Sequence, residues 1–150
     1  MENKVKILVV DEGFCSLHAL SKRLSLRDYD VTPVTSGQQA IQYARDDDFD
    51  LAIIDLKTSR MSGEEVLKTL KAEHPFMQII ILTGHGTVES NVTYTRLGAF
   101  YYLQKPCEVE ELLTVLENAY QNRIRRNLSL NKNRFKDAQI VPIRKSSLGV

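Results

Sequence analysis

The sequence has no tryptophan, only two cysteines and no long apolar run. Cys15 and Cys107 are too few for a disulfide framework or a cysteine-based metal cluster, so reduced thiols are expected. No apolar stretch approaches the roughly 18 residues needed to cross a bilayer. The first ten residues, MENKVKILVV, also lack the pattern of a signal peptide. We therefore expect a cytoplasmic protein with no membrane segment.

Charge of both signs is present, but it is unevenly distributed along the chain. Residues 1–120 carry 12 Lys and Arg against 18 Asp and Glu, a net charge of −6. Residues 121–150 carry 8 basic residues and one acidic residue, a net charge of +7. An acidic body is suited to binding cations, whereas a basic tail is typical of a linker or of an arm for nucleic acid or an acidic partner. No recognition-helix pattern is visible, so we do not expect the body itself to bind nucleic acid.

Five apolar runs alternate with five segments of helical periodicity. The predicted strands are Val5–Val10, Val31–Thr35, Phe49–Ile54, Gln78–Leu82 and Phe100–Leu103. The predicted helices are Phe14–Leu26, Gly37 to about Arg45, Gly63 to about His74, Thr87–Leu97 and Glu108 to about Arg125. Strict alternation with crossover helices predicts an α/β protein whose parallel sheet is covered on both faces.

Pro33 lies within the second predicted strand. Because proline cannot donate a hydrogen bond to a neighbouring strand, this strand is expected at an edge of the sheet. An outer second strand favours the order 2-1-3-4-5 of doubly wound, flavodoxin-like folds. Residues 1–123 are predicted to form one domain. Residues 124–150, where the apolar period is lost, are predicted to be a basic tail or linker.

Charged residues follow three of the predicted strands. Asp11 and Glu12 come after the first strand, Asp55 after the third, and Lys105 after the fifth. Because the carboxyl ends of parallel strands meet at one edge of a sheet, these side chains should lie close together. Three crowded carboxylates repel one another without a cation, and Mg²⁺ is the default for oxygen ligands of this kind.

The same edge carries groups that are suited to a phosphoryl group. Lys105 supplies an ammonium that can meet an anion brought to Asp55. Thr83 and Gly84 follow the fourth strand, where the threonine offers a hydroxyl and the glycine leaves space and a backbone N–H. These groups together predict an electrostatic cradle for phosphoryl transfer.

Four segments carry a specific resemblance to a known family: ILVVDE, DLAIIDLKTSRMSGEEVL, IIILTGHGTVES and LGAFYYLQKP. They look like the receiver domain of two-component response regulators, over residues 4–123 and without gaps. The segment TVESNVTYTRLGAFYYLQKP most resembles receivers of the nitrogen-regulation type. The resemblance implies a chemotaxis-regulator-like fold and a signalling switch rather than a dedicated turnover enzyme.

The resemblance implies a role for each acidic residue of the predicted site. Asp55 matches the aspartate that accepts a phosphoryl group from a sensor histidine kinase or a phosphotransfer protein. Asp11 and Glu12 match the acidic pair that holds Mg²⁺ or Mn²⁺. The backbone carbonyl of Lys57 matches a third protein ligand to that metal.

The resemblance also implies a switch. Thr83 matches the hydroxyl that contacts the phosphoryl group, with Gly84 beside it, and Lys105 matches the lysine that contacts the phosphate. Tyr102 matches the aromatic residue that turns when the threonine moves, and Pro106 matches the family's cis-proline. The implied output surface is the fourth helix, fifth strand and fifth helix, which is also a candidate homodimer interface. An output domain beyond residue 150 is a further expectation.

The sequence departs from the family pattern in the loops. Glu12 stands where aspartate is commonest, Ser59 replaces a frequent proline, and Ser62 stands where an acid is common. Lys57 and His85 occupy positions that influence dephosphorylation in this family. The direction of their effect on the phosphoryl lifetime is left open.

Three other interpretations of the sequence compete with a phosphorylated receiver. A haloacid dehalogenase-type phosphatase needs an aspartate two residues after its nucleophile, and Lys57 stands there instead. A flavodoxin-like nucleotide- or flavin-binding protein needs a glycine-rich phosphate loop, which DEGFCS does not supply. A degenerate receiver that binds partners without phosphorylation stays open as the second hypothesis.

Overall fold

The computed structural model describes residues 3–55, 62–84 and 88–138. Within this part, strands and helices alternate from the first element to the last. The strands are β1 (Lys6–Val10), β2 (Asp30–Val34), β3 (Leu51–Asp55), β4 (Gln78–Thr83) and β5 (Tyr101–Gln104). The helices are α1 (Phe14–Ser25), α2 (Gly37–Asp46), α3 (Gly63–Glu73), α4 (Val88–Arg96) and α5 (Val109–Ala138).

The strands form one parallel sheet in the order β2-β1-β3-β4-β5, which confirms the predicted doubly wound architecture. Pro33 lies in the outer strand β2, as its missing N–H predicts. The central strands β3 and β4 are buried along their whole length. Their continuous apolar composition is therefore explained by helices on both faces of the sheet.

The core has two parts, one on each face of the sheet, because successive side chains of a strand point in opposite directions. Leu8 and Val10 of β1 belong to the cluster that includes residues of α2, α3 and α4. Ile7 and Val9 belong to the cluster that includes residues of α1 and α5. The two clusters hold the strands in register, so that all their carboxyl ends lie at one edge.

Ser62, which stands where the family commonly has an acid, has a local role at the start of α3. Its hydroxyl accepts a hydrogen bond from the Glu65 backbone N–H at 3.2 Å, and the Glu65 carboxylate accepts one from the Ser62 N–H at 3.3 Å. This capping box satisfies backbone donors at the start of α3. A serine therefore stabilises the helix that follows the Asp55 loop.

The last helix is longer than predicted: the expected end at about Arg125 is wrong, and α5 continues to Ala138. Residues 124–138 lose the apolar period but contain neither proline nor glycine, so nothing in the sequence stops the helix. Asn122 and Arg123 anchor it, through bonds to Gln78 and Asp50 at the amino edge of the sheet. The division between a domain and a tail at residue 123 stays a prediction.

The described ranges contain the helices α1 to α5. No helix there, α5 included, is both long enough and apolar enough to cross a bilayer.

Candidate functional site

The carboxyl edge of the sheet brings the predicted site residues together. Asp55 is the last residue of β3 and Thr83 the last of β4, whereas Lys105 follows β5 directly. Val10 of β1 is in register with Ile54 of β3, so the next residue along each chain is Asp11 and Asp55 respectively. Two carboxylates from adjacent strands thus lie side by side at this edge.

Asp55 is paired with Lys105. The Lys105 ammonium donates a hydrogen bond to Oδ2 of Asp55, whose side chain is 4% exposed. The Lys105 backbone N–H donates to the carbonyl of Thr83 at 2.6 Å, which fixes the start of the β5–α5 loop against β4. The Lys105–Pro106 peptide bond is cis, as the family resemblance implied.

Asp11 is buried and is held by the start of α1. Its Oδ1 accepts a hydrogen bond from the Gly13 N–H at 2.8 Å, and its Oδ2 accepts one from the Ser16 hydroxyl at 2.6 Å. Sequence reasoning missed Ser16. The available signal was its position five residues after Asp11, in the first turn of a helix that has no side-chain cap. These bonds orient the Asp11 carboxylate at the carboxyl edge.

The carboxylates at the carboxyl edge form a donor set suited to a magnesium ion. Asp11, Asp55 and Lys105 line the same cleft. Glu12, the residue after Asp11, is exposed. Mg²⁺ is commonly held by one or two carboxylates together with waters and a substrate phosphate. The two buried carboxylates fit that pattern. Among the residues that the structure describes, no group of three or more His, Cys, Asp or Glu forms a closed metal site.

Thr83 and Gly84 occupy the predicted place between Asp55 and Lys105. Thr83 is buried. Leu82, which precedes Thr83 in β4, is in register with Asp55 of β3. Gly84 is exposed, and a Cβ built on it would meet no atom within 4 Å. Within the described part of the chain, a side chain at Gly84 would therefore meet no neighbour.

The two tyrosines of β5 point to opposite sides, as neighbours in a strand do. Tyr101 is exposed, whereas Tyr102 is half-buried and packs against the core cluster that includes α4. The Tyr102 hydroxyl lies 2.5 Å from the Ser90 hydroxyl, and its ring stacks on Tyr94 with the centroids 6.0 Å apart. Burial raises the pKa of Tyr94, and Glu64 and Tyr102 raise it further.

Lys57, Ser59 and His85 lie outside the described residues, so their predicted roles stay predictions.

A cleft of about 550 Å³ extends from the acidic edge towards α1 and α5. It is polar beside Asp55 and mainly apolar beyond, where its lining includes Leu20, Leu82 and Leu112. Cys107 also lines it, and burial raises the pKa of its thiol, with Glu111 adding to that effect and Lys105 opposing it. Cys15 is exposed, and both cysteines are free thiols.

Comparison with known proteins agrees with this geometry. Residues 7–117 match the model of the response regulator receiver domain. The match covers well over half of the chain. The protein therefore belongs to the response regulator receiver family, whose members act in phosphorelay signalling, and the resemblance to nitrogen-regulation-type receivers is confirmed.

Individual relatives show how much of a longer protein the match covers. The transcriptional regulatory protein ZraR of Escherichia coli (strain K12) is 34% identical over 117 residues, which are 78% of this chain and 26% of that protein. The regulator AlgB of Pseudomonas syringae is 32% identical over 111 residues, 74% of this chain and 25% of that protein. The chain thus spans about a quarter of the length of the curated relatives that it matches.

Solved structures have the same fold. A CheY-like receiver domain protein from Methanospirillum hungatei JF-1 superposes with a TM-score of 0.79 at 25% identity, over 83% of this chain and 99% of that chain. NtrX from Brucella abortus gives a TM-score of 0.77 at 26% identity, over 85% of this chain and 30% of that chain.

Proposed function

We propose that this receiver accepts a phosphoryl group on Asp55 from the phosphohistidine of a sensor histidine kinase or of a phosphotransfer protein. The observation that carries the proposal is the pairing of the buried Asp55 carboxylate with the Lys105 ammonium, beside the buried Asp11 carboxylate. A buried nucleophile with a cation at hand is suited to phosphoryl transfer. Space beside Gly84, which no described residue fills, supports the same proposal.

The proposed step is a displacement at phosphorus. A carboxylate oxygen of Asp55 attacks the phosphoryl group, and the bond from phosphorus to the donor's imidazole nitrogen breaks. That nitrogen keeps the electron pair and takes up a proton. The Lys105 ammonium moves from the carboxylate to the phosphoryl oxygens, where it balances the added negative charge.

A divalent cation, Mg²⁺ or Mn²⁺, is part of the proposal, since members of this family generally use Mg²⁺ for phosphorylation. Asp11, Glu12, Asp55 and the backbone carbonyl of Lys57 would hold it. When bound, the cation would neutralise charge on the carboxylate and phosphoryl oxygens. The hydrogen bonds from Gly13 and Ser16 support this reading, because they orient the Asp11 carboxylate.

The phosphoryl group would then act as a signal. In this proposal the Thr83 hydroxyl and the Gly84 N–H bind the phosphoryl oxygens, Tyr102 turns, and the surface of α4, β5 and α5 changes. That surface would bind a partner, a second copy of the chain or an output domain. This chain matches only about a quarter of the length of relatives that are named as transcriptional regulators. That difference in length supports an output domain beyond residue 150. Lys57 and His85 would tune slow hydrolysis on the protein itself, and the cytoplasm is the proposed location.

Phosphoryl uptake from a small phosphodonor tests the function directly. The full chain is incubated with acetyl phosphate and Mg²⁺, and its intact mass is measured over time. Wild type should gain one phosphoryl group, and Asp55→Asn should gain none. Asp48→Asn is the matched control, because it removes an exposed aspartate carboxylate away from the site and should be labelled like wild type.

Two results would contradict the proposal. Equal uptake by Asp55→Asn and wild type would remove the role of Asp55. No uptake by folded wild type, under conditions that label another receiver, would favour the degenerate receiver that binds partners without phosphorylation.

A further inference from the structure

Three hydroxyl-bearing side chains, Ser90, Tyr94 and Tyr102, meet between α4 and β5. The Ser90 and Tyr102 hydroxyls share a hydrogen bond of 2.5 Å, and the Tyr94 ring stacks on the Tyr102 ring at an interplanar angle of 28°. Ser90 and Tyr94 are four residues apart on α4, so they lie on the same face of that helix. One tyrosine of β5 is therefore held by two successive turns of α4.

The contacts of Tyr102 lie at the edge of the hydrophobic core. Tyr94 is 9% exposed, and Tyr102 packs against the same core cluster. If Tyr102 turns away, its hydroxyl leaves Ser90 and its ring leaves Tyr94 at once. A rotation of Tyr102 would therefore break both of these contacts between β5 and α4.

Tyr102 is also close in sequence to the site. Lys105, three residues later, donates to Asp55 with its ammonium and to Thr83 with its backbone N–H. In the described arrangement this lysine contacts the Asp55 carboxylate itself. The Ser90–Tyr102 hydrogen bond and the Lys105–Asp55 pair therefore belong to one and the same state.

We propose that Ser90 is a positioning residue that stabilises the unphosphorylated state, by holding Tyr102 against α4, and so sets how readily this receiver switches. This inference rests on the proposed function. It adds a residue that the family resemblance did not assign, and it gives the serine hydroxyl a role in regulation rather than in phosphoryl chemistry.

A two-state equilibrium makes the inference measurable. A ligand that binds only the switched state has its apparent affinity reduced by the fraction of protein in that state. The loss of a hydrogen bond from the competing state raises this fraction. The loss of one typical intramolecular hydrogen bond changes the equilibrium constant between the two states by about two- to tenfold. Ser90→Ala should therefore bind a phosphoryl mimic more tightly than wild type by about that factor.

The experiment titrates the full chain with beryllofluoride in the presence of Mg²⁺ and follows the backbone amides of α4 and β5 by NMR. Thr93→Ala is the matched control: it deletes a hydroxyl from the same helix, but one that belongs to an exposed side chain and donates to the Glu89 carbonyl. Its affinity should equal that of wild type. Both substitutions raise helix propensity, so that effect cancels in the comparison.

A second variant tests the pair. Tyr102→Phe removes the other hydroxyl and should raise the affinity to a similar extent, whereas the double variant with Ser90→Ala should bind no more tightly than either single variant. A purely structural role for Ser90 would lower the free energy of unfolding without tightening the binding of the mimic.

The outcomes separate this inference from the proposed function. Unchanged or weaker binding by Ser90→Ala, in a background where wild type binds the mimic and takes up phosphoryl, would overturn the inference alone. If wild type neither binds the mimic nor takes up phosphoryl, the proposed function fails and the inference fails with it.

Discussion

The Lys105 ammonium donates a hydrogen bond to the Asp55 carboxylate across the ends of β5, β4 and β3, although the two residues are fifty positions apart in the chain. Asp55 is almost fully buried, whereas the Lys105 side chain is about one third exposed. The contact joins Asp55, which is predicted to accept a phosphoryl group, to Lys105, which is predicted to contact that phosphoryl group. It also compensates a buried negative charge.

The first prediction concerns that compensation. Lys105→Met should lower the free energy of unfolding by about 1–3 kcal/mol, because it leaves a buried carboxylate without its charged donor. Chemical denaturation at neutral pH measures the change. Lys68→Met, an exposed lysine of α3, is the control and should change stability by no more than about 0.5 kcal/mol. Equal stability of the two variants would show that the pair does not stabilise the fold.

The second prediction concerns the anchor of α5. Asn122 donates to the side-chain oxygen of Gln78 at 2.8 Å, and Gln78 is only 2% exposed. Asn122→Ala should cost about 1–3 kcal/mol, because it leaves a buried oxygen without a donor. Asn127→Ala, an exposed asparagine one to two turns later, should be nearly neutral. Denaturant unfolding followed by circular dichroism distinguishes the two, and a neutral Asn122→Ala would rule out the anchor.

The third prediction compares two glycines. Gly98 ends α4 with φ of +106°, and a Cβ there would lie 3.3 Å from Cγ of Lys71. Gly98→Ala should therefore destabilise the protein by about 1–2 kcal/mol, as expected for a left-handed position. Gly84→Ala has open space and no positive φ, so its thermal midpoint should stay close to that of wild type. The prediction is wrong if the two alanine variants unfold at the same temperature.

The fourth prediction is a pH dependence. The pKa of Lys71 is lowered to about 8, first by burial and then by Arg126 and Arg123. Its ammonium donates to the carbonyl oxygens of Pro75 and Met77, both at 2.9 Å. Between pH 8 and the ordinary value of 10.5, the unfolded chain binds this proton more strongly than the folded chain. The Lys71 contribution to stability should therefore rise with pH through that window.

Lys71→Met isolates this contribution, because every other titrating group is common to both proteins. The free energy of unfolding of wild type relative to the variant should increase from pH 8 to pH 10. The carbonyls of Pro75 and Met77 lose their donor in the variant at every pH. That cost therefore lowers the free energy of unfolding of the variant by a constant amount and does not change its dependence on pH. Parallel curves across the window would contradict the lowered pKa.

Prediction from the sequence succeeded where one local rule was sufficient. Apolar runs bounded by helical periods predicted each strand and each of the first four helices to within a few residues. Pro33 predicted the edge strand, because a missing donor has the same effect in any sheet. The predicted end of the last helix at about Arg125 is wrong, because the loss of the apolar period does not by itself end a helix. The helix continues because residues 124–138 contain no proline or glycine. The contacts of Asn122 and Arg123 with residues far earlier in the chain, which attach α5 to the sheet, could not be read from the sequence.

By itself, the sequence determined the order of the elements, the parallel sheet and the convergence of Asp11, Asp55, Thr83 and Lys105 at one edge, since strand direction alone places strand ends. Only the tertiary structure decided which groups contact one another there. The bond from Ser16 to Asp11 and the bond between Ser90 and Tyr102 depend on side-chain rotamers and on the packing of whole helices. Hydrogen bonds act over about 3 Å, and no sequence spacing specifies a distance that short between separate elements.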